Sequence, residues 1–341
     1  MKRKKAGHNR GREASRGSQP PPFDRRIIER DLLAIRQLLE EKEFDSIDEM
    51  NRYLERIGKA GKVLEWKPKT PLERAQNLIY EALETTGRER LELIYQALDV
   101  CPDCADAYVL LAEEKAQSLE EAAALYLAGV KAGERALGKK VFKRDVGHFW
   151  SIIETRPYMR ARAGLARCLW FLGEREEAVK HYQELLRLNP SDNQGIRYPL
   201  AAALLELGDI NALQELLGKY DEPTAAWLYT KALVAYLKQG DTAEARERLQ
   251  EAMDYNPHVV PYLLGKRRLP KRLPESIGFG DKDEAVVYAA EFGPGWHKTR
   301  GAIDWLAAVS GTARRAKRLS GKPAGVPDVF LRAFESEEGR R

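Results

Sequence analysis

The stretch VGHFWSIIETRPYMRARAGLARC, residues 146–168, gathers the side-chain types of an active site. It holds His148, Glu154, four arginines ahead of Cys168, and three large aromatics. Acid–base chemistry would need His148 or Glu154 in a cleft, held by a partner that tunes its pKa. Nucleophilic chemistry would need a base beside Cys168. Yet Leu165 and Leu169 sit at helical spacing around Cys168, where a small buried side chain is expected. No second cluster of His, Asp or Ser completes a site. The same residues also suit an architectural job. Thr155 can cap the helix whose first turn Pro157 opens, Phe149, Trp150 and Tyr158 can anchor the segment, and Glu154 can pair with an arginine nearby. His148, Trp150, Glu154 and Tyr158 are therefore expected to form an inserted brace, with no catalytic residue.

The elements that must hold this stretch repeat along the chain. Gly173, Gly208 and Gly240 stand 35 and 32 residues apart, each ending an apolar helical pattern, and Pro190 and Pro257 are 67 apart. A period near 34 residues built from helix pairs is the tetratricopeptide signature. Leu165, Ala166, Leu169, Ala178, Tyr182 and Leu185 fill one unit, and Tyr229, Leu233, Tyr236, Ala245, Leu249 and Ala252 fill another. Small residues let the paired helices approach, glycine makes the turn, and proline closes the unit. Pro102 to Pro190 spans 88 residues, some 20 more than two units need, so an insertion is placed at 135–157.

The fold class expected is all-α, a tetratricopeptide solenoid with an N-terminal helical hairpin and capping C-terminal helices. Residues 1–24 read as a disordered basic tail. Residues 25–58 read as the hairpin, from Ile28, Leu32, Ile35 and Leu39, then Ile47, Met50, Leu54 and Ile57. A linker at 59–70 carries Trp66, expected to dock on a neighbour. Repeats fill 71–260, a basic loop and capping helices fill 261–311, and a weakly structured tail fills 312–341. No strand pattern appears.

Net charge is +5 over 341 residues, but nine Lys/Arg against Glu13 and Asp24 give residues 1–26 a net of +7, leaving −2 for the rest. Basic character resides in the tail, in GKRRLPKRLP (265–274) and in TARRAKRLSGK (312–322), segments able to attract nucleic acid through phosphate charge. Recognised nucleic-acid motifs and interleaved stacking aromatics are missing. Three cysteines fit a reducing compartment. CPDC (101–104) lacks the second ligand pair of a zinc site and the βαβ setting of a redox motif, so it reads as structural. His258 in NPHVV reads as a hydrogen bonder at a helix junction. No apolar run approaches a membrane span, and no secretory signal is apparent. A cytoplasmic location, without membrane contact, metal or cofactor, is the expectation.

Several blocks go beyond generic repeats: CPDCADAYVLLAEE (101–114), AGVKAGERALG (128–138), residues 146–182, NPHVVPYLLGKRRLP (256–270) and GDKDEAVVYAAEF (280–292). Over roughly 70–306 the chain resembles a bacterial tetratricopeptide family, itself similar to the animal proteins called suppressor of tumorigenicity seven. The resemblance implies a helical repeat protein with no assigned catalytic chemistry. The animal relatives carry membrane-spanning segments, a feature not carried over to this chain.

In such arrays the first helix of each pair lines a concave groove. Arg156, Arg160, Arg167 and Trp170 would share one helical line there, followed by Tyr198 and then Trp227. Arginines beside an aromatic suit a carboxylate or an acidic peptide, although a solvated face with intramolecular ion pairs is an equal alternative. Asparagine and lysine, which grip chaperone C-termini in some repeat proteins, are absent from these positions. The expected function is a non-catalytic scaffold or adaptor that binds a protein or peptide in the groove. The alternative is a nucleic-acid- or ribosome-associated factor using the basic segments.

Overall fold

A computed structural model describes residues 24–60, 64–274 and 276–311. The basic segments at 1–23 and 312–341 lie outside the described residues. Among the described residues the chain forms only helices: α1 (Ile27–Glu40), α2 (Ile47–Lys59), α3 (Pro71–Leu83), α4 (Gly87–Val100), α5 (Ala105–Lys115), α6 (Leu119–Arg144), a 3-10 turn (Ile153–Thr155), α7 (Arg156–Leu172), α8 (Arg175–Leu188), α9 (Arg197–Leu207), α10 (Ile210–Lys219), α11 (Ala225–Gln239), α12 (Ala243–Tyr255), α13 (Val259–Leu263), α14 (Lys282–Lys298) and α15 (Ala302–Val309).

Local chemistry explains the boundaries. Ser46, Ser118, Thr224 and Thr242 cap α2, α6, α11 and α12 by accepting a backbone N–H of the first turn. Thr70 and Glu73 form a reciprocal capping box with Pro71 in the first turn of α3. Gly173 (φ 91°) and Gly208 (φ 79°) end α7 and α9 in the left-handed region, which only glycine enters cheaply.

The helices from α3 to α12 form five consecutive antiparallel pairs, an all-α helical-repeat solenoid. Close approach depends on small residues. A Cβ on Gly164 of α7 would overlap the Tyr126 ring of α6, so that position admits no side chain without repacking. The core divides into two apolar clusters, one from α1 and α3–α5, the other from α5 through α15. Helix α5 belongs to both: Ala107, Leu110 and Leu111 enter the first, Val109 and Ala112 the second.

Of the stretch 135–157 expected to hold an insertion, residues 135–144 continue α6, 145–155 link it to α7, and 156–157 open α7. Phe142, Phe149 and Tyr158 meet with ring centroids 5.0–6.2 Å apart. The N–H groups of Gly147 and Phe149 both donate to the Leu188 carbonyl, at 3.1 and 3.2 Å, stitching the segment to the end of α8. Thr155 does not act as a side-chain cap. Its hydroxyl donates backward instead, to the carbonyls of Phe149 and Ile152.

Among the described residues, α1 and α14 fold back onto the face carried by the first helices of the pairs. Leu33 of α1 is 4% exposed and joins the cluster of Ala75, Ile79 and Tyr80. Helix α14 lies across α9 and α11, where a Cβ on Gly295 would meet Leu205 at 2.5 Å. Capping of the last pair falls to α15, whose Trp305 stacks on Tyr236 at 4.5 Å and donates to Asp241 at 2.9 Å. Helix α2 buries no residue.

Candidate functional site on the first-helix face

On α7, Arg156, Arg160, Ala163, Arg167 and Trp170 share one line, as helical spacing requires. The structure gives the two leading arginines intramolecular partners. Arg160 donates to both Glu29 oxygens of α1 at 2.8 and 2.9 Å, and to both Asp106 oxygens of α5 at 2.9 and 2.6 Å. Gln76 of α3 adds a bond to Asp106 at 2.9 Å, and Arg156 reaches Glu29 at 3.3 Å. Four elements thus meet in a buried cluster of two carboxylates and two guanidiniums. Burial opposes ionisation of Asp106, yet Arg160, Arg26 and Gln76 hold its carboxyl below the usual carboxylate range. Arg160 is correspondingly held in its charged form.

Further pairs align α1 along this face. Arg26 bonds Glu113 at 3.0 Å, Arg30 bonds Glu84 at 2.7 Å, and Arg36 pairs with Glu154. Glu154 therefore finds its arginine on α1, not within its own segment. Partial burial raises its carboxyl, but the Arg36 pair brings it below the ordinary value. Trp150 carries the Arg156 guanidinium over its ring at 5.2 Å, and its carbonyl accepts from Arg156 Nε at 2.8 Å. His148 is exposed in a turn, its N–H donating to the Asp145 carbonyl at 3.0 Å. Tyr158 is buried, and its hydroxyl accepts from Arg162 at 2.5 Å.

Midway along the face the environment changes. Arg167 is partly exposed, and its positive charge acts on the exposed Glu291 of α14. Partial burial raises the carboxyl of Glu113, and neighbouring Arg26 opposes that rise. Trp170 is half-buried under the Arg175 guanidinium, 5.0 Å from its ring. Arg26, Glu113, Arg167 and Glu291 thus carry the ionic character of the stretch between α1 and α14.

At the far end α14 covers the positions expected to line an open groove. Trp227 is fully buried and meets Tyr198 edge-on at 5.3 Å, so it belongs to the core and not to a binding surface. The reason is α14 itself. Its Tyr288 packs on Tyr229 and reaches the Thr230 hydroxyl at 3.4 Å, while Glu284 accepts from the Ala225 N–H at 2.8 Å. Tyr198 stays partly exposed beneath Arg197, 4.5 Å from its ring.

Cys101, Cys104 and Cys168 are free thiols. Cys104 is buried with its Sγ 3.7 Å from Gln76 Oε1, and burial raises its pKa. Cys168 is likewise buried, its thiol pushed up to about 12. His258 sits at a helix junction, where its backbone N–H donates to the Asn256 side chain at 3.1 Å. The residues 265–268 and 271–272 of the basic loop are exposed.

The partners that sequence reasoning missed are Glu29, Asp106, Arg26 and Glu113. A signal was present: Arg26, Arg30, Leu33 and Gln37 also recur at spacings of four and three. The more apolar stripe of Ile28, Leu32, Ile35 and Leu39 obscured it.

A family model described as ST7 protein matches residues 71–319, from the first helix of the first pair onward. The chain belongs to the ST7 protein family. This ST7-family chain is 33% identical over 246 residues to the suppressor of tumorigenicity 7 protein-like of Gallus gallus, covering 65% of the chain and 44% of that protein. It is 33% identical over 240 residues to the Homo sapiens counterpart, covering 64% and 42%. The suppressor of tumorigenicity 7 protein of Macaca fascicularis is 32% identical over 273 residues, covering 71% and 50%. The chain thus spans half or less of the length of these relatives. Among its described residues no helix is long and apolar enough to cross a membrane.

Proposed function

We propose that this ST7-family chain is a non-catalytic adaptor, a bacterial tetratricopeptide-type solenoid whose first-helix face grips a protein segment in helical form. One observation carries the proposal: that face already holds two helices, α1 by paired charges around one leucine and α14 by aromatic burial. A surface that recognises helices in cis has the chemistry to recognise one in trans. Of the residues that first suggested catalysis, Glu154 pairs with Arg36 and Cys168 is sealed in the core. Three free thiols, two of them buried, suit a cytoplasmic setting.

Affinity capture from a native lysate tests the proposal, using wild type and an Arg167→Ala/Trp170→Ala variant, with nuclease treatment in parallel. A nuclease-resistant protein lost by the variant supports the adaptor. Capture of RNA or ribosomes that nuclease abolishes, regardless of the variant, would overturn it and favour the exposed basic loop 265–274 as the functional element.

A further inference from the structure

Helices α1 and α14 hold the same face in different ways. Helix α14 buries nine residues, including Tyr288, Phe292 and Trp296, whereas α1 buries only Glu29, Leu33 and Ala34. The chain leaving α1 passes through α2, which buries nothing, and the far end of α1 is tied down by polar bonds, Gln37 exchanging hydrogen bonds with the Lys67 backbone at 2.9 and 3.3 Å and Arg36 pairing with Glu154. Helix α1 is therefore mounted chiefly by charge, and charged groups that leave it can be rehydrated.

Part of the ionic cluster beneath keeps its partners when α1 departs. Asp106 keeps Arg160 and Gln76, while Arg160 and Arg156 retain N–H donors aimed at the place Glu29 vacates. The seat of Leu33 is also imperfectly filled. A partly open cavity of about 70 Å³ remains beside it, lined by Trp66, Leu72, Tyr80, Ile153, Pro157 and Tyr158 together with the polar Glu73, Gln76, Asp103 and Glu154. Walls facing a void forgo dispersion contacts that a larger side chain would supply. The family match begins at residue 71, so the seat apart from Trp66 lies within it and α1 does not.

We infer that α1 is a built-in stand-in ligand: Arg156, Arg160 and the apolar seat of Leu33 form a docking site for a partner helix carrying a carboxylate one turn ahead of a bulky aromatic residue, and α1 closes the site until such a helix displaces it. The inference rests on the adaptor proposal and names the partner of the same face. A ring in place of the Leu33 isobutyl group fills the cavity, and an incoming carboxylate takes over both arginines bidentately. The partner then exceeds α1 in apolar contact while matching it in charge. Exchange of one helix for another costs little because the two occupants neutralise the same guanidiniums.

The probe is a synthetic peptide of residues 24–41 with Leu33→Phe, added to the full-length chain and monitored by hydrogen exchange and fluorescence anisotropy. In the free chain, amides of α1 should exchange about 100-fold faster than those of α7, by local opening. The peptide should raise α1 exchange further while protecting α5 and α7. A full-length Glu29→Ala variant, checked for unchanged helicity, should bind the peptide about tenfold tighter because its closed state is less populated. The same peptide with Glu29→Arg should not bind. Exchange of α1 only together with α7, or unchanged peptide affinity in the Glu29→Ala variant, overturns the inference. If the peptide binds as expected but no lysate protein is captured, the adaptor proposal fails alone. Capture that depends on Arg167 and Trp170 while α1 stays closed defeats only the stand-in role.

Discussion

Replacing Arg160 by methionine removes a guanidinium while keeping most of its aliphatic bulk, so the change isolates the charge. The magnitude is set by the groups left behind. Asp106 is 1% exposed and keeps only Gln76 as a direct side-chain partner. Removing one member of a buried ion pair typically costs about 3–5 kcal/mol, because the survivor stays desolvated. Glu29 adds less, since it retains Arg156 at 3.3 Å and can swing out with α1. A loss of about 3–5 kcal/mol is therefore expected at pH 7 in urea unfolding monitored by circular dichroism. The pH dependence gives a sharper check. In the wild type the Asp106 pKa is lowered on folding. Its contribution is thus present above the unfolded carboxylate value of about 3.9 and lost as pH falls through the lower folded one. In Arg160→Met burial prevails, the Asp106 pKa rises, and protonation relieves the strain. The gap between variant and wild type should narrow as pH falls from 7 towards 5. Adding Asp106→Asn should recover most of the loss at pH 7. A cost below about 1 kcal/mol, a pH-independent gap, or no recovery from Asp106→Asn would refute the reasoning.

Other sites give independent checks. Gly164→Ala would press a methyl group into the Tyr126 ring and should cost about 1–3 kcal/mol in the same unfolding assay. Thr155→Val would strip the Phe149 carbonyl of its buried hydroxyl donor, while the Ile152 carbonyl keeps the Thr155 N–H, with a loss of about 1–3 kcal/mol that Thr155→Ser, retaining the hydroxyl, should largely avoid. In native protein at pH 8, iodoacetamide treatment and mass spectrometry should show the partly exposed Cys101 labelled well before Cys168, whose thiol is buried and pushed up to about 12. Equal labelling rates would contradict the burial of Cys168.

The repeat architecture was legible because its signals are local. Gly173 and Gly208 need a left-handed backbone, Ser46 and Ser118 cap α2 and α6, and Ala or Gly recurs where helices touch. Around Glu154 less was legible: Phe149 and Tyr158 are buried, but the arginine that pairs with Glu154 comes from 118 residues away. Helix α1 shows the limit most plainly. Its strongest apolar stripe pointed to Ile28 and Leu32, yet these remain 44% and 39% exposed, while Glu29 is buried. Periodicity ranks faces by apolarity, and a face chosen by paired charge escapes that ranking. Trp227 shows the complementary error. A first-helix position is open only if nothing folds back over it, and the return of α14 depends on contacts far apart in sequence.

The division of α5 between two cores governs how this molecule can be cut and rebuilt. Repeat solenoids invite editing by whole units, with modules added, removed or transplanted. Here Leu110 and Leu111 serve one cluster while Val109 and Ala112, their immediate neighbours, serve the other. A break on either side of α5 would expose one apolar flank of a helix that has no solvent face to spare. A shuffled chain must therefore carry α5 with neighbours on both sides.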